Sequence, residues 1–240
     1  MQNTYAGDMG DFGKIALLRE IQKQGLSIGV NWYLVEPVAS VNKSAVHNHR
    51  DGKYLSTQFR ECDENLSDVL TTIATSEERS VAAIEKAHLI PGARYFSEPV
   101  TVACRTDWHR SAMEALSGVN VVFLDPDNGM LAESVKEHYA KSVKYAFYRE
   151  VGDYIRRGQS VLIYNHRSRK PEDIYFHDIC KKLSISTGVP ESDMLKITFP
   201  RYTVRDYIAV PAQDHRERIE AAMISMEQGI WGSKGVCRIP

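Results

Sequence analysis

The chain has 240 residues, of which 43% are hydrophobic, and this is enough to bury the core of one large domain. Its 30 basic and 31 acidic residues leave a formal net charge of -1, so no overall field draws it to nucleic acid or to an anionic membrane. No run approaches the ~18 apolar residues of a membrane span, and the stretch MQNTYAGDMGDFGK lacks a signal-peptide core. These features predict a cytoplasmic globule in which any nucleic-acid surface is a local patch.

The cysteine pattern also predicts a cytoplasmic protein. Cys62, Cys104, Cys180 and Cys237 show no CxxC spacing and no short interval that suits a zinc site or a disulfide scaffold. The pattern therefore predicts free, mostly buried thiols in a reducing environment.

The chain begins with a predicted helix and a predicted strand. Apolar residues at helical spacing between Asp11 and Gln24 predict the first helix, which Gly25 ends. The apolar run LSIGVNWYLVEP predicts a buried strand that Pro37 stops.

A polar segment and two helices follow. Residues Val38 to Gln58 are polar and predict a long loop, because they contain no apolar period. Two helical pieces are predicted between Asp63 and Leu89, with Ser76 as the cap of the second piece. Together they predict a small inserted helical subdomain at about residues 38–89.

The middle of the chain continues the alternation. The string IPGARYFSEPV predicts a turn and a short strand, and TDWHRSAMEALSG predicts a short helix capped by Thr106 or Asp107. The strand VNVVFLD comes next. A stripe of apolar residues four apart, from Val143 to Ile155, predicts a further helix.

The C-terminal part supplies another strand, QSVLIYNH, and a helix that Gly188 ends. The runs MLKITFP and TVRDYIAVP predict two strands, and a helix is predicted from about Asp214 to Gln228. The last two strands are too close in sequence for a crossover, so we expect an antiparallel hairpin at one edge of the sheet.

Strands that alternate with helices predict an α/β fold. We expect a Rossmann-like, mainly parallel sheet with helices on both faces and an antiparallel C-terminal strand pair. Residues 1–240 are predicted to form one such domain, which carries the inserted segment described above.

The run VVFLDPDNGM places polar groups directly after a buried strand. Ligands of a parallel sheet bind beyond the carboxyl ends of its strands, so Asp125, Pro126, Asp127 and Asn128 are predicted to line a site there. The same residue types are also the commonest turn formers, and an ordinary turn is the alternative.

The run YAGDMGDFGKIALL concentrates charge and glycine at the start of the first helix. Asp8 or Asp11 can cap that helix, and Lys14 can pair with Asp11 three residues away. Three glycines in this short run favour close approach of a ligand to the backbone, although their spacing is not that of a P-loop.

This second run resembles the N-terminal signature of the bacterial large-subunit ribosomal RNA adenine-N6 methyltransferases of the J type. That signature has an aromatic residue or His, then A-G-N-H-A-D, two apolar residues and Lys. The matching positions are Tyr5, Ala6, Gly7, Asp11 and Lys14. The strand end LDPDN is similar to the family's D-P-P-Y, and the order of the other elements agrees over most of the chain.

The resemblance implies a class I methyltransferase fold, S-adenosylmethionine as cofactor, and an exocyclic base amine of nucleic acid as substrate. Asp125 is implied to accept the amine hydrogens beside Pro126, Asp127 and Asn128, and Lys14 to contact the cofactor or the target. The positions implied to bind the cofactor are Tyr5, Gly7, Asp11, Glu36 and Glu98. The target base must be single-stranded or flipped out of a duplex.

The chain also departs from the family. It has WYLVEPVAS where the family has a glycine-rich turn after the first strand, so Glu36 stands where the cofactor loop is expected. One strand is missing before LDPDN, and Glu98 is the nearest substitute for the acid that grips the ribose.

Two alternative functions follow from the same residues. Asp8, Asp11, Asp125 and Asp127 could meet at one sheet edge and bind Mg²⁺, which predicts a nuclease or nucleotide hydrolase. A relative of the methyltransferases that only binds nucleic acid is the third possibility.

A basic cluster, YNHRSRK, follows a predicted strand at the same edge of the sheet. His166, Arg167 and Arg169 are therefore candidates for binding phosphate of a nucleic-acid or nucleotide partner. A solvated charged face is the alternative for this cluster.

Overall fold

The computed structural model describes residues 1–36, 56–167, 170–201 and 203–239. Most of the predicted loop at 38–58, and Arg169 of the basic cluster, lie outside the described residues. In these ranges, no helix combines the length and the apolar character needed to cross a membrane.

The described helices and strands follow the predicted alternation. The helices are α1 Met9–Lys23, α2 Glu64–Thr75, α3 Val81–Lys86, α4 Arg105–Ala115, α5 Tyr148–Arg156, α6 Glu172–Thr187, α7 Arg216–Gln228 and α8 Ile230–Ser233. The strands are β1 Ile28–Asn31, β2 Arg94–Phe96, β3 Val121–Leu124, β4 Gly129–Met130, β5 Tyr145–Ala146, β6 Ser160–His166, β7 Leu195–Arg201, β8 Thr203–Val210 and β9 Cys237–Ile239. Short 3-10 turns lie at Asn3–Tyr5, Ser56–Cys62, Ala140–Lys144, Glu191–Asp193 and Gln213–His215.

The main sheet has the strand order β2-β1-β3-β6-β8-β7-β9. Strands β2, β1, β3 and β6 are mutually parallel, whereas β8 is antiparallel to both β6 and β7. The predicted class is therefore confirmed: the fold is a Rossmann-like α/β arrangement with a mainly parallel sheet and antiparallel strands near the C-terminus.

The hairpin of β7 and β8 forms as predicted, but its place in the sheet differs. The second strand, β8, inserts between β6 and β7, and β9 pairs with β7 at the outer side. The hairpin is thus not an edge. The short segment CRI at the chain end completes the sheet, and its three residues are too few for a periodic signal.

The sheet separates two apolar cores, because side chains alternate along each strand. Val121 and Phe123 face the core beneath α1, α2, α3 and α7, while Val122 and Leu124 face the core beneath α4, α5 and α6. The helices α2 and α3 of the predicted insertion supply residues to the first core.

The predicted helix at the Val143 stripe starts later than expected. Residues Tyr145 and Ala146 form β5, which pairs with β4, and the helix begins only after Phe147. The Glu150 side chain accepts a hydrogen bond from the Phe147 backbone N at 3.0 Å, which fixes that start. Val143 lies in the 3-10 turn Ala140–Lys144 and Phe147 is the N-cap of α5, so only the second half of the stripe is helical.

Two predicted helix caps are also wrong. Ser76 ends α2 in an extended conformation, and Ser80 caps α3 by accepting from Ala83 N at 3.2 Å. α4 starts directly after Cys104, which leaves Thr106 and Asp107 inside its first turn.

All four cysteines are free thiols, as expected. They are less buried than predicted, because Cys104 and Cys237 are exposed and only Cys180 is buried.

Candidate functional site

The start of α1 is organised by two carboxylates. Asp8 is the N-cap, and its Oδ1 accepts hydrogen bonds from Gly10 N at 2.7 Å and Asp11 N at 3.2 Å. Asp11 is fully buried, and its Oδ2 accepts from Gly7 N at 2.6 Å. Of the two predicted caps, Asp8 takes the role, and Asp11 is free to face the interior of the protein.

The glycines of this segment serve close packing. Gly7 has φ +81°, and a Cβ there would lie 2.5 Å from the carbonyl oxygen of Leu70 in α2. A Cβ on Gly13 would lie 3.0 Å from the Phe199 ring. Gly7 therefore holds α1 against α2 and does not line the cavity described below, whereas Gly13 lets the helix approach the sheet.

Lys14 and Asp125 meet at the carboxyl end of β3, although they are 111 positions apart in the chain. The Lys14 Nζ donates to Asp125 Oδ1 at 2.9 Å and to Oδ2 at 2.7 Å. It also lies 2.9 Å from Asp11 Oδ1, without the angle of a hydrogen bond. One buried ammonium thus faces two buried carboxylates.

This arrangement fixes the charge of Lys14. Burial opposes the charged form, but the adjacent Asp11 and Asp125 carboxylates prevail and raise the pKa of Lys14 well above its ordinary value. Burial raises the pKa of Asp125 above its ordinary 3.8, and Lys14 acts in the opposite direction. Lys14 therefore stays protonated at neutral pH.

The turn after β3 is held from two sides. Asp127 accepts from the Met1 amine nitrogen at 2.8 Å and from Gln2 Nε2 at 2.8 Å. On the other side, the Asn165 Oδ1 of β6 accepts from Met130 N at 2.8 Å. The residues that follow Asp125 therefore have a defined position next to β6.

A cavity of about 320 Å³ lies between the start of α1 and the carboxyl ends of β3 and β6. Its charged and polar wall includes Asp8, Lys14, Asp125, Asp127, Asn128 and Lys144. Tyr5 and Pro126 also line it. The volume is at the lower end of the range for small-molecule sites.

Part of the cavity wall is aromatic. Tyr164 of β6, Phe199 of β7 and Tyr207 of β8 point to the same face of the sheet and pack edge to face, with ring centroids 5.7 Å and 5.0 Å apart around Tyr207. Lys14 Nζ lies 4.8 Å from the centroid of the Tyr164 ring. Flat rings beside paired charges suit a planar, polar ligand.

The pKa values of Asp8, His166 and Tyr164, which also line the cavity, are shifted as well. Burial and the neighbouring Asp11 raise the pKa of Asp8 from 3.8 to about 7. Burial and the nearby Arg205 lower the pKa of His166 from 6.5 to about 4. Burial raises the pKa of Tyr164 to about 12. At neutral pH the imidazole and the phenol are therefore neutral hydrogen-bonding groups.

Other predicted site residues lie away from this cavity. Glu36 and Glu98 are exposed and do not line it. Arg167 is bound to Asp206 at 2.7 Å and to Glu172 at 2.6 Å, so its charge is already compensated outside the cavity. Of the two described members of the predicted basic cluster, His166 and Arg167, only His166 is on the wall.

The tertiary structure adds cavity residues that the sequence did not single out: Lys144, Phe199, Arg205 and Tyr207. For two of them, Arg205 and Tyr207, the alternating pattern of the strand RDYIAV could have indicated a shared face. Alternation along β8 places Arg205 and Tyr207 on one face and Asp206 on the other.

The described residues do not assemble the cofactor site that the resemblance implies. In the crevice between β1 and β3, the Met1 amine nitrogen lies 3.0 Å from Tyr33 O and 3.1 Å from Asp125 O. The Tyr33 side chain is completely buried and donates from its hydroxyl to Glu150 at 2.9 Å. Since Glu36 and Glu98 are also outside the cavity, the residues present do not fit S-adenosylmethionine in the family's position.

A metal site is likewise not found among the described ranges, where no group of three or more His, Cys, Asp or Glu side chains is arranged to hold an ion. Lys14 lies between Asp11 and Asp125, where the alternative function places Mg²⁺.

A second cavity, of about 830 Å³, adjoins the first and shares Asn128 and His166 with it. Its wall carries Tyr145 and Tyr148 and the ion pair of Lys182 with Glu133.

Comparison with known protein families found no family model that matches the chain, and no curated protein matched it. The fold and the site therefore define a class: a Rossmann-like α/β protein with a cavity at the carboxyl ends of its parallel strands, walled by paired charges and aromatic rings.

Proposed function

We propose that the cavity binds a nucleic-acid base, free or within a polynucleotide, through its exocyclic amine, in a methyltransferase-like protein. The observation that carries the proposal is the position of Asp125, a carboxylate held by Lys14 in a cavity whose wall also carries three aromatic rings. A carboxylate accepts hydrogens and donates none, so it selects an amine over a carbonyl. The aromatic wall suits the faces of a base.

In this proposal the residues of the cavity orient the base by packing and hydrogen bonding. The planar ring packs against Tyr164, and its amine hydrogens point to the Asp125 carboxylate beside Pro126. Burial raises the pKa of that carboxylate, and the two hydrogen bonds from Lys14 favour its ionised form against this effect. A base inside a duplex has to be flipped out to reach this depth.

The resemblance implies methylation of this amine from S-adenosylmethionine, but the residues present do not fit that cofactor in the family's position, so the proposal covers amine binding and assigns no step to the cofactor. The described residues support the amine-binding part of this function and do not support a cofactor site of the family's form. No specific observation favours Mg²⁺-dependent hydrolysis, because Lys14 already pairs with Asp11 and Asp125, and the Met1 amine pairs with Asp127.

Calorimetry with matched nucleotides tests the binding proposal. We expect adenosine monophosphate to bind at least about tenfold more tightly than inosine monophosphate, in which a carbonyl replaces the amine. The same order is expected for cytidine over uridine monophosphate. Asp125→Asn should reduce the preference to within about threefold, because an amide can donate as well as accept.

The matched control is Asp173→Asn, which removes an exposed carboxylate in the first turn of α6 and should leave the preference unchanged. Equal binding of amine and carbonyl nucleotides to the native protein would refute the proposal. Titration with S-adenosylmethionine tests the reaction separately: no heat up to about 1 mM, the upper end of ordinary substrate affinities, would remove methyl transfer and leave amine binding intact.

A further inference from the structure

Most charges on the wall of the first cavity are already paired. Lys14 faces Asp11 and Asp125, and Lys144 Nζ lies 3.5 Å from Asp127. Arg205 is different. Within the described part of the chain it forms no ion pair, and its hydrogen bonds go to the Tyr164 hydroxyl and to a backbone carbonyl.

The neighbours of Arg205 fix its guanidinium without neutralising it. Its Nε donates to the Tyr164 hydroxyl at 2.5 Å, and its Nη1 donates to Val204 O at 3.3 Å. A guanidinium has five N–H donors, so the group retains donors for a ligand. The positive charge lies on the cavity wall, where burial strengthens its attraction for an anion.

Arg205 and Asp125 lie on opposite sides of the cavity floor. Asp125 follows β3, and Arg205 is on β8, with β6 between them. Two strand spacings separate these elements by about 10 Å. A nucleotide carries its base amine and its phosphate at opposite ends, with the ring and the sugar between them.

We propose that Arg205 binds a phosphate group of the substrate, so that the ligand of this cavity is a nucleotide unit and not a bare base or nucleoside. The inference rests on the proposed function, because it takes the base amine to be at Asp125. Planar guanidinium and phosphate form parallel, charge-assisted hydrogen bonds, and this geometry distinguishes Arg from Lys at such a site.

His166 is the cross-strand partner of Arg205 and lies beside the proposed phosphate position. It is neutral at pH 7, and among the described residues its ring nitrogens have no hydrogen-bond partner. Other charged groups on the surrounding elements are Lys14 of α1 and Asp127 after β3. A bound phosphate dianion should therefore raise the pKa of His166 from about 4.

The test compares adenosine, adenosine monophosphate and a dinucleoside monophosphate by calorimetry on the full chain. The native protein should bind adenosine monophosphate at least about tenfold more tightly than adenosine. Arg205→Gln should abolish that gain and bind adenosine as the native protein does. Arg205→Lys should retain part of it, and Arg110→Gln, an exposed arginine of α4 paired with Asp107, should retain all of it.

Binding of the dinucleoside monophosphate shows whether the phosphate belongs to a polynucleotide or to a free nucleotide. Tighter binding of the dinucleoside than of the monophosphate indicates a phosphodiester within a strand, and the reverse indicates a free nucleotide. Either order agrees with the role of Arg205, provided that Arg205→Gln removes the gain.

Equal binding of adenosine and its monophosphate to the native protein would overturn the inference and leave the proposed function standing. The inference would also be overturned if Arg205→Gln still bound adenosine monophosphate more tightly than adenosine by the same factor as the native protein. Failure of every ligand to bind the native protein would defeat both proposals. If Arg205→Gln does not fold, two measurements on the native protein decide the question. The preference for adenosine monophosphate over adenosine should become smaller as salt is added. NMR should show that the pKa of His166 is higher in the complex than in the free protein.

Discussion

The central residue of the site is Lys14, because its ammonium compensates two carboxylates in the protein interior. Asp11 and Asp125 are 0% and 1% exposed, so neither can be solvated in its place. A buried ion pair adds little net stability over an apolar substitute, but the loss of one partner strands the other as an unpaired charge. The stability of the site therefore depends on the positive charge of Lys14 far more than on the packing of its aliphatic stem.

We predict that Lys14→Met lowers the free energy of unfolding by about 3–5 kcal/mol at neutral pH, because two buried carboxylates lose their counter-charge. Urea denaturation measures the change. Adding Asp125→Asn to Lys14→Met should recover part of the loss, since it removes one of the stranded charges.

The control is Lys23→Met, in which the lysine side chain is 65% exposed and, in the described part of the chain, pairs with Glu20 alone. This change should alter stability by less than about 0.5 kcal/mol. Similar losses for the two variants would contradict the assignment of Lys14 as the counter-ion of the site.

At the scale of elements, the position of Asp125 depends on the contact between the β3–β4 turn and β6. Gly129 adopts φ +99°, and a Cβ there would lie 1.9 Å from the Asn165 Oδ1. That oxygen accepts the hydrogen bond from Met130 N that fastens the turn. Only glycine permits both the backbone conformation and the close approach of β6.

Gly129→Ala is predicted to destabilise the protein by about 3 kcal/mol or more and to abolish amine selectivity, because the turn must move away from Asn165. Gly158→Ala is the matched control. It has φ +78° with no atom within 4 Å of the added Cβ, so it should lose only about 1 kcal/mol from the left-handed backbone. Thermal unfolding and nucleotide titration measure the two effects. Equal destabilisation of both variants would contradict this account of the turn.

At the scale of the whole molecule, two cavity groups give opposite contributions to stability as pH changes. The folded-state pKa of Asp8, about 7, is above its ordinary 3.8, so the folded protein holds a proton that the unfolded chain releases in this window. The stability from Asp8 is therefore complete below pH 3.8 and is lost as pH rises towards 7. The pKa of His166 is lowered from 6.5 to about 4, so its contribution is complete above 6.5 and is lost as pH falls towards 4.

We predict that Asp8→Asn gains stability relative to the native protein as pH rises from about 4 to about 7, and that the difference is constant above that window. Asn is itself a good N-cap, so the start of α1 should persist in the variant. Urea denaturation across this pH range gives the free energy of unfolding of the variant minus that of the native protein. The contribution of His166 cancels in this difference, because both proteins contain it. A difference independent of pH would show that Asp8 does not hold a proton in the folded state.

The sequence predicted the elements well wherever the local pattern was set by burial on one face. The stripe of α1, the apolar runs of β3 and β6, and the alternation of helices with strands all yield the α/β fold, because burial imposes a period that the sequence must carry. The exceptions are instructive. The Val143 stripe is helical only in its second half, because Val143 lies in a 3-10 turn and the next residues, Tyr145 and Ala146, pair with β4.

Part of the candidate site was also visible in the sequence. A polar residue directly after a buried parallel strand is expected at the sheet edge where ligands bind, so its position made Asp125 a candidate, with an ordinary turn as the alternative. Lys14 was identified by its place in the resemblance, and the fold brings it to Asp125.

The remaining features required the tertiary structure. Residue type alone does not distinguish Arg167 from Arg205, yet the first is bound to Asp206 and Glu172 while the second faces the cavity. The order of β8 and β7 in the sheet decides this difference, because it sets which side chains oppose each other across strands. Sequence period determines which face of a strand is buried; only the packing of distant strands decides which charges find partners there and which remain available to a ligand.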